Sequence, residues 1–146
     1  MRAFLVIAAL TLAAFVSSTN AMSSGAAARS TLTVHASAYG RILFDSRGYA
    51  LYAFTKDTTG RSRCVVACAK AWPPYIVNGA PRAARGVKAK LLSTIRRPDG
   101  RRQAAYAGKP LYHYVGDRRP LQVLCQNVNE FGGRWLVVRP NGTVVR

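Results

Sequence analysis

Leu-Tyr-Ala-Phe-Thr-Lys-Asp at residues 51–57 returns as Leu-Tyr-His-Tyr-Val-Gly-Asp at residues 111–117, sixty positions later. The match extends to a preceding glycine. Gly48, Leu51, Tyr52, Phe54 and Asp57 align with Gly108, Leu111, Tyr112, Tyr114 and Asp117. Trp72 and Trp135 follow their aspartates by 15 and 18 residues. A sixty-residue period used twice is too long and too few for a solenoid. It predicts two similar β units, repeat 1 at about 41–77 and repeat 2 at about 91–140, packed face to face around one core.

The motif has a plain physical reading on a strand, where alternate residues share a face. Tyr52 and Phe54 then point one way, as do Tyr112 and Tyr114, while Leu51, Ala53 and Thr55 point the other. Asp57 and Asp117 fall just past the strand. An aspartate there can accept backbone N–H groups two residues on and close an Asx turn. The motif is thus expected to be structural: Tyr52, Phe54, Tyr112, Tyr114, Trp72 and Trp135 for packing, Asp57 and Asp117 for ending strands. The competing reading, a catalytic pair of Asp57 and Asp117, requires both carboxyls to reach one substrate.

The rest of the chain carries mainly strand signals, so the expected fold class is mainly β, with two hairpin-containing repeats in one small domain. Residues 39–45 and 49–55 read as a hairpin around Ser46-Arg47-Gly48. Residues 91–97 and 101–107 read as a second, with Pro98-Asp99-Gly100 supplying the turn. Residues 109–115 read as a further strand, and 134–146 as a last hairpin turning at Asn141-Gly142. Residues 64–72 lack Gly and Pro and suit a short helix, stopped by Pro73-Pro74.

The N-terminus is of another kind. One Arg precedes an unbroken apolar run from Ala3 to Val16, then a small polar segment ending in Thr19-Asn20-Ala21. That is the layout of a secretory signal peptide over 1–21. The run is shorter than the ~17–25 residues of a spanning helix, although an uncleaved anchor is the alternative. Cleavage is expected after Ala21, with Ala28 as a second choice. Residues 22–38 are rich in Ser, Ala and Thr and read as a flexible linker, leaving 39–146 as the domain. The first cysteine is Cys64, so no N-terminal cysteine is there to carry lipid. Periplasmic or extracellular export without a lipid anchor is expected, as a monomer with no membrane span after cleavage.

Charge narrows the partners. The chain holds 22 Lys+Arg against 5 Asp+Glu, a net +17. Such a field attracts nucleic acid, acidic glycans and anionic lipid without choosing among them, and it also keeps an exported protein soluble. Anionic envelope polymers are the partners an exported chain meets. The densest basic cluster is Arg96, Arg97, Arg101 and Arg102 around one turn, with Arg118 and Arg119 after the second motif. Guanidinium groups there suit bidentate phosphate or carboxylate contacts; the alternative is a solvated loop tip.

Taken together, the stretches 45–74, 97–117 and 131–140 resemble the bacterial secreted-repeat family of unknown function, whose members are often named as lipoproteins and carry the Tyr-x-aromatic-x-x-Asp motif. The resemblance spans about Leu43 to Pro140 and implies export, two repeats and no established activity. The chain departs from that pattern in lacking a lipidation cysteine. It has Val66 between the paired cysteines where members often have Gly. It has Cys125-Gln126-Asn127 where a Gly-Gln-Gly-like stretch is usual.

Little else points to chemistry. Cys64 and Cys68 stand at i and i+4, and in an exported protein such a pair is expected to be bridged. A loop this short contributes less than the ~3 kcal/mol of a fifteen-residue loop. A redox pair is the alternative, although the familiar active motif spaces its cysteines by two residues and not three. Cys125 is left over, free to stay buried, to compete for either partner or to link two molecules. No metal site or cofactor is expected. His35 falls in the linker, His113 is alone in the second motif, and Asp45, Asp57, Asp99, Asp117 and Glu130 are dispersed. No glycine-rich phosphate loop and no Ser-His-Asp arrangement stands out. The reading is a non-enzymatic structural or binding module of the envelope. An anion-binding protein and a thiol-disulfide oxidoreductase are the alternatives.

Overall fold

A computed structural model describes residues 31–146. The expected signal peptide and the first part of the expected linker, residues 22–30, lie outside them. The remainder of that linker is not one. Thr31–Ser37 form strand β1, paired antiparallel along its whole length with β2, Gly40–Asp45. Leu32 is buried and Val34 half-buried, an alternation that the Ser- and Ala-rich flanks obscured. Ser37 makes the turn: its hydroxyl accepts the Tyr39 N–H at 3.1 Å and donates to the Gly40 carbonyl at 2.8 Å.

The structure is mainly β, as expected, in three small sheets with one short helix. β1 and β2 form the first sheet with β4, Arg82–Ala83. The second holds β3 (Tyr52–Phe54), β9 (Gly133–Val137) and β8 (Val128–Glu130), in the order β3-β9-β8. The third is β5 (Leu92–Arg96), β6 (Arg102–Tyr106) and β7 (Lys109–Pro110). Helix α1 spans Ala67–Ala71.

The hairpin at 91–107 forms in the expected register, with Arg96 opposite Arg102 and the Asp99 carboxylate accepting the Arg101 N–H at 3.0 Å. The hairpin at 39–55 forms only near its turn. Asp45 bonds Tyr49 and Leu51 bonds Leu43, but Tyr52–Phe54 then leave β2 and pair with β9, Tyr52 opposite Val137 and Phe54 opposite Trp135. Val138 takes the vacated place, accepting the Leu43 N–H at 2.8 Å. The expected strand at 109–115 is a ladder only at Lys109–Pro110. Beyond it, Tyr112 makes single bridges to Tyr52 on one side and Pro74 on the other. Pro110 has no N–H to continue a ladder.

The two repeats therefore interleave, and do not stack face to face around one core. The central strands, β3 with most of β2, β6 and β9, are buried on both faces, between two apolar clusters. One contains Ile42, Phe44, Tyr52, Phe54, Trp72, Tyr112, Trp135 and Val137. The other contains Leu43, Leu51, Ala53, Tyr106, Leu111 and Val138. The period of two in each strand sorts neighbouring residues into different clusters. Tyr52 and Phe54 do share a face, and Leu51 and Ala53 share the opposite one.

Candidate functional site

Tyr52 and Tyr112, equivalent residues of the two repeats, are bonded to each other through both backbone groups. Each N–H donates to the other's carbonyl at 2.9 Å. A pair of this kind between equivalent positions places a local two-fold relationship at that point, and the side chains obey it. The Tyr52 hydroxyl donates to Asp117 Oδ2 at 2.7 Å, and the Tyr112 hydroxyl donates to Asp57 Oδ2 at 2.7 Å. Each repeat's tyrosine is held by the other repeat's aspartate.

The glycines complete the exchange. The Gly48 carbonyl accepts the Leu121 N–H at 2.8 Å, and the Gly108 carbonyl accepts the Gly60 N–H at 3.2 Å. Both glycines have positive φ, +86° and +76°. A Cβ on Gly48 would stand 3.0 Å from Pro120, and one on Gly108 would stand 3.0 Å from Thr59. The loop after each aspartate thus lies directly on the other repeat's glycine, which is why that position has no side chain.

The aromatic residues follow the same rule. Phe54 stacks on Trp135 with centroids 4.2 Å apart, Trp135 on Trp72 at 4.0 Å, and Trp72 against Tyr114 at 4.6 Å. In this column the two tryptophans meet at the middle, and each outer ring belongs to the repeat opposite its neighbour. Tyr52 meets Trp72 edge-on at 5.2 Å, and Tyr112 meets Trp135 edge-on at 5.1 Å. Symmetry fails at the indole nitrogens. Trp72 Nε1 donates to Glu130 at 2.8 Å, whereas Trp135 Nε1 is buried without a partner.

The carboxylates do not close Asx turns as expected. Asp57 Oδ1 accepts the Arg63 N–H at 2.6 Å, and Asp117 Oδ1 accepts the Leu124 N–H at 3.0 Å. Each aspartate gathers a longer loop because its other oxygen is drawn inward to a tyrosine. The Asx geometry occurs instead at Asp45, whose Oδ1 accepts Arg47 and Tyr49 N–H groups, both at 2.9 Å. Its Oδ2 meets Arg47 at 3.1 Å and His113 Nε2 at 3.2 Å.

Burial raises the carboxyl pKa of both Asp57 and Asp117, against the pull of their N–H and hydroxyl donors. It also pushes the Tyr52 and Tyr112 phenols far above their usual value, with the facing carboxylates adding to the effect. Burial acts on Asp45 too, but the bonds from His113, the Tyr49 N–H and Arg47 outweigh it and hold that carboxyl at about 2. Asp57 and Asp117 share no hydrogen-bond partner, and each carboxylate accepts one tyrosine hydroxyl and one backbone N–H of this chain. A cleft of about 380 Å³ opens beside Asp57, floored by Phe54 and Leu136.

Behind Tyr112 lies a polar network with no sequence signal, because its members are far apart in the chain. Ser62 Oγ also lies 2.8 Å from the Tyr112 hydroxyl, whose single proton goes to Asp57. Arg97 donates to Ser62, Gln103 and the Cys64 carbonyl at 2.8, 2.6 and 2.7 Å. Only 4% of Arg97 is exposed. It is thus not one of the surface arginines that the Arg-rich turn promised. Its guanidinium is spent inside, while Arg96, Arg101, Arg102, Arg118 and Arg119 are exposed.

Cys64 and Cys68 are bridged, with both residues buried. Cys125 is free and half-buried against Tyr114. Among the described residues no group of three or more His, Cys, Asp or Glu side chains is placed to hold a metal ion.

A family model described as a secreted repeat of unknown function matches the chain twice, at residues 33–75 and 93–139. The chain belongs to that family. The two matches are the two halves of the exchange just described, each contributing one tyrosine, one aspartate and one tryptophan. The first match also starts within β1, in keeping with a fold that begins before residue 39. No curated protein and no solved structure matches the chain. Among the described residues no helix is long and apolar enough to cross a membrane.

Proposed function

We propose that the domain is a non-enzymatic binding module of the bacterial envelope whose ligands are anionic polymers, and that the repeated motif is the clasp that holds its two halves together. The observation that carries the reading is the distribution of charge. Asp45 and Asp117 are buried, Asp57 is bonded to Tyr112 and Arg63, Glu130 to Trp72, and Asp99 to Arg101. Among the described Lys and Arg residues, only Arg47, Arg97 and Arg101 take part in ion pairs. The acids are used within the fold, and the bases, apart from the buried Arg97, are left at the surface. Such a surface draws polyanions by releasing their counterions.

Disulfide exchange at Cys64–Cys68 has less support, since both residues are buried and exchange needs access for an attacking thiolate. Titration with heparin and with duplex DNA tests the binding reading. Affinity is expected to fall linearly, on logarithmic axes, as salt rises from about 50 to 200 mM, with neutral dextran failing to compete. A protein that ignores both polyanions at the low end of that range has some other role.

A further inference from the structure

The loop that follows Asp117 is built differently from its counterpart in repeat 1. Gly60 and Leu121 are equivalent, because each donates its N–H to the other repeat's motif glycine. Both have positive φ, +74° for Gly60 and +62° for Leu121. Glycine enters that region freely and leucine does not. Leu121 nevertheless holds it with 51% of its surface exposed. A leucine that is strained in its backbone and solvated in its side chain contributes nothing to the fold that glycine would not supply better.

Its neighbours have a common character. Leu124 is 57% exposed and Val115 53%. Arg118 and Arg119 are exposed and carry no ion pair. The loop is not loose: Gln122 Oε1 accepts both the Arg118 and Arg119 N–H groups, and Asp117 takes the Leu124 N–H. A rigid loop therefore presents apolar side chains flanked by two unpaired guanidinium groups. That combination suits the boundary of an anionic bilayer, where apolar groups enter the headgroup layer and cations meet lipid phosphates.

We propose that the 115–124 loop of repeat 2 is the element through which this module docks on anionic lipid surfaces. The proposal rests on the outward cationic surface of the reading above and adds a lipid partner to the polymers named there. The side-chain chemistry decides against a soluble polyanion as the loop's occupant, since such a polymer would gain nothing from Leu121 and Leu124. The rest of the cationic surface adds long-range attraction, and the loop adds the apolar part.

Co-sedimentation with vesicles of phosphatidylglycerol and phosphatidylethanolamine tests this, with phosphatidylcholine vesicles as the neutral control. The protein is produced as the full chain in a secreting host, so that all variants carry the same N-terminus. Leu121→Gly and Leu124→Ser are each expected to weaken binding to the anionic vesicles roughly tenfold. Arg118→Ala and Arg119→Ala should each weaken it about fivefold. Heparin affinity of the two leucine variants should stay within about twofold of the parent, because their charge is unchanged. Leu121→Gly should melt no lower than the parent, so lost binding cannot be lost folding. Leucine variants that bind the anionic vesicles as tightly as the parent, or a parent that does not bind them, would overturn the loop proposal. If heparin binding persists in those cases, the polyanion reading stands without it.

Discussion

The Tyr52 hydroxyl lies 2.7 Å from Asp117 Oδ2, across 65 residues of chain and from one repeat to the other. Its mirror, Tyr112 to Asp57, has the same length. If these bonds hold the halves together, Ala at 117 strands the Tyr52 hydroxyl and the Leu124 N–H, and Ala at 57 frees the Arg63 N–H and leaves Tyr112 only Ser62. Each substitution is then expected to cost about 1–3 kcal/mol, read from urea midpoints. A double-mutant cycle on Tyr52→Phe and Asp117→Ala should return a coupling of about 0.5–3 kcal/mol. Variants as stable as the parent would return the two aspartates to consideration as a functional pair.

Asparagine should separate the two bonds. Ser62 Oγ lies 2.8 Å from the Tyr112 hydroxyl, so with asparagine at 57 the Tyr112 proton can turn to Ser62 and its oxygen accept from the amide. Tyr52 has no second acceptor among its bonds to described residues. Asp117→Asn is therefore expected to destabilise by about 1 kcal/mol more than Asp57→Asn, the scale of one hydrogen bond. Equal midpoints would show that the Ser62 branch is energetically idle.

The stacked column predicts parallel losses in the two repeats. Phe54→Ala and Tyr52→Ala, like Tyr112→Ala and Trp135→Ala, each remove a large ring from the buried cluster. About 3–5 kcal/mol is expected from each, seen in thermal or urea unfolding as one transition of the whole domain. Separate transitions for the two repeats would contradict the interleaved core.

Much of this was legible in the chain, and the part that was not has a physical cause. Alternation alone put Tyr52 with Phe54 and Leu51 with Ala53, because the period of a strand is local. The turns at Pro98-Asp99-Gly100 and Asn141-Gly142 were legible for the same reason. The partner of each strand was not. Nothing in residues 49–55 says that Tyr52–Phe54 will leave β2 for β9, since pairing is decided by which edges meet in space. The destination of each Asp oxygen depended on that pairing, so a local Asx turn was expected where a cross-repeat bond formed. β1 was missed because composition outweighed the Thr-Leu-Thr-Val alternation within it. Arg97 was misplaced because its neighbours in sequence are exposed and its neighbours in space are Ser62 and Gln103.

Val66 offers a gain. It stands at φ 48°, ψ −112°, with the Cys68 N–H bonded to the Val65 carbonyl at 3.1 Å. That is the second position of a type II′ turn, which glycine favours. A β-branched residue there is strained by about 1–3 kcal/mol, and 78% exposure means that its side chain returns little packing. Val66→Gly is expected to raise the thermal midpoint by several degrees, with Val66→Ala in between. The bridge closes so few residues that Cys64→Ala/Cys68→Ala should still fold, losing less than about 3 kcal/mol. Calorimetry of the three variants checks all of this, and a Val66→Gly protein that melts below the parent refutes the strain.

The buried carboxyls predict a pH profile with two limbs of opposite sign. Asp45 titrates at about 2 in the fold, against an ordinary value of 3.8. A depressed pKa stabilises above the unfolded value and is lost as pH falls through the folded one. Stability is therefore expected to drop by about 2 kcal/mol between pH 4 and pH 2 on this account. Asp57 and Asp117 are shifted upward. The fold then binds their protons more tightly than the unfolded chain does, so their ionisation subtracts stability as pH rises from the ordinary carboxyl range to their folded values. The parent should thus have a maximum in the mildly acid range. Asp45→Asn should flatten the limb below it, and Asp57→Asn the decline above it. Urea midpoints taken from pH 2 to 8 measure both. A parent whose stability climbs without a maximum to pH 8, or an Asp45→Asn protein with the parent's acid limb, would show that these carboxyls are not poised as their surroundings require.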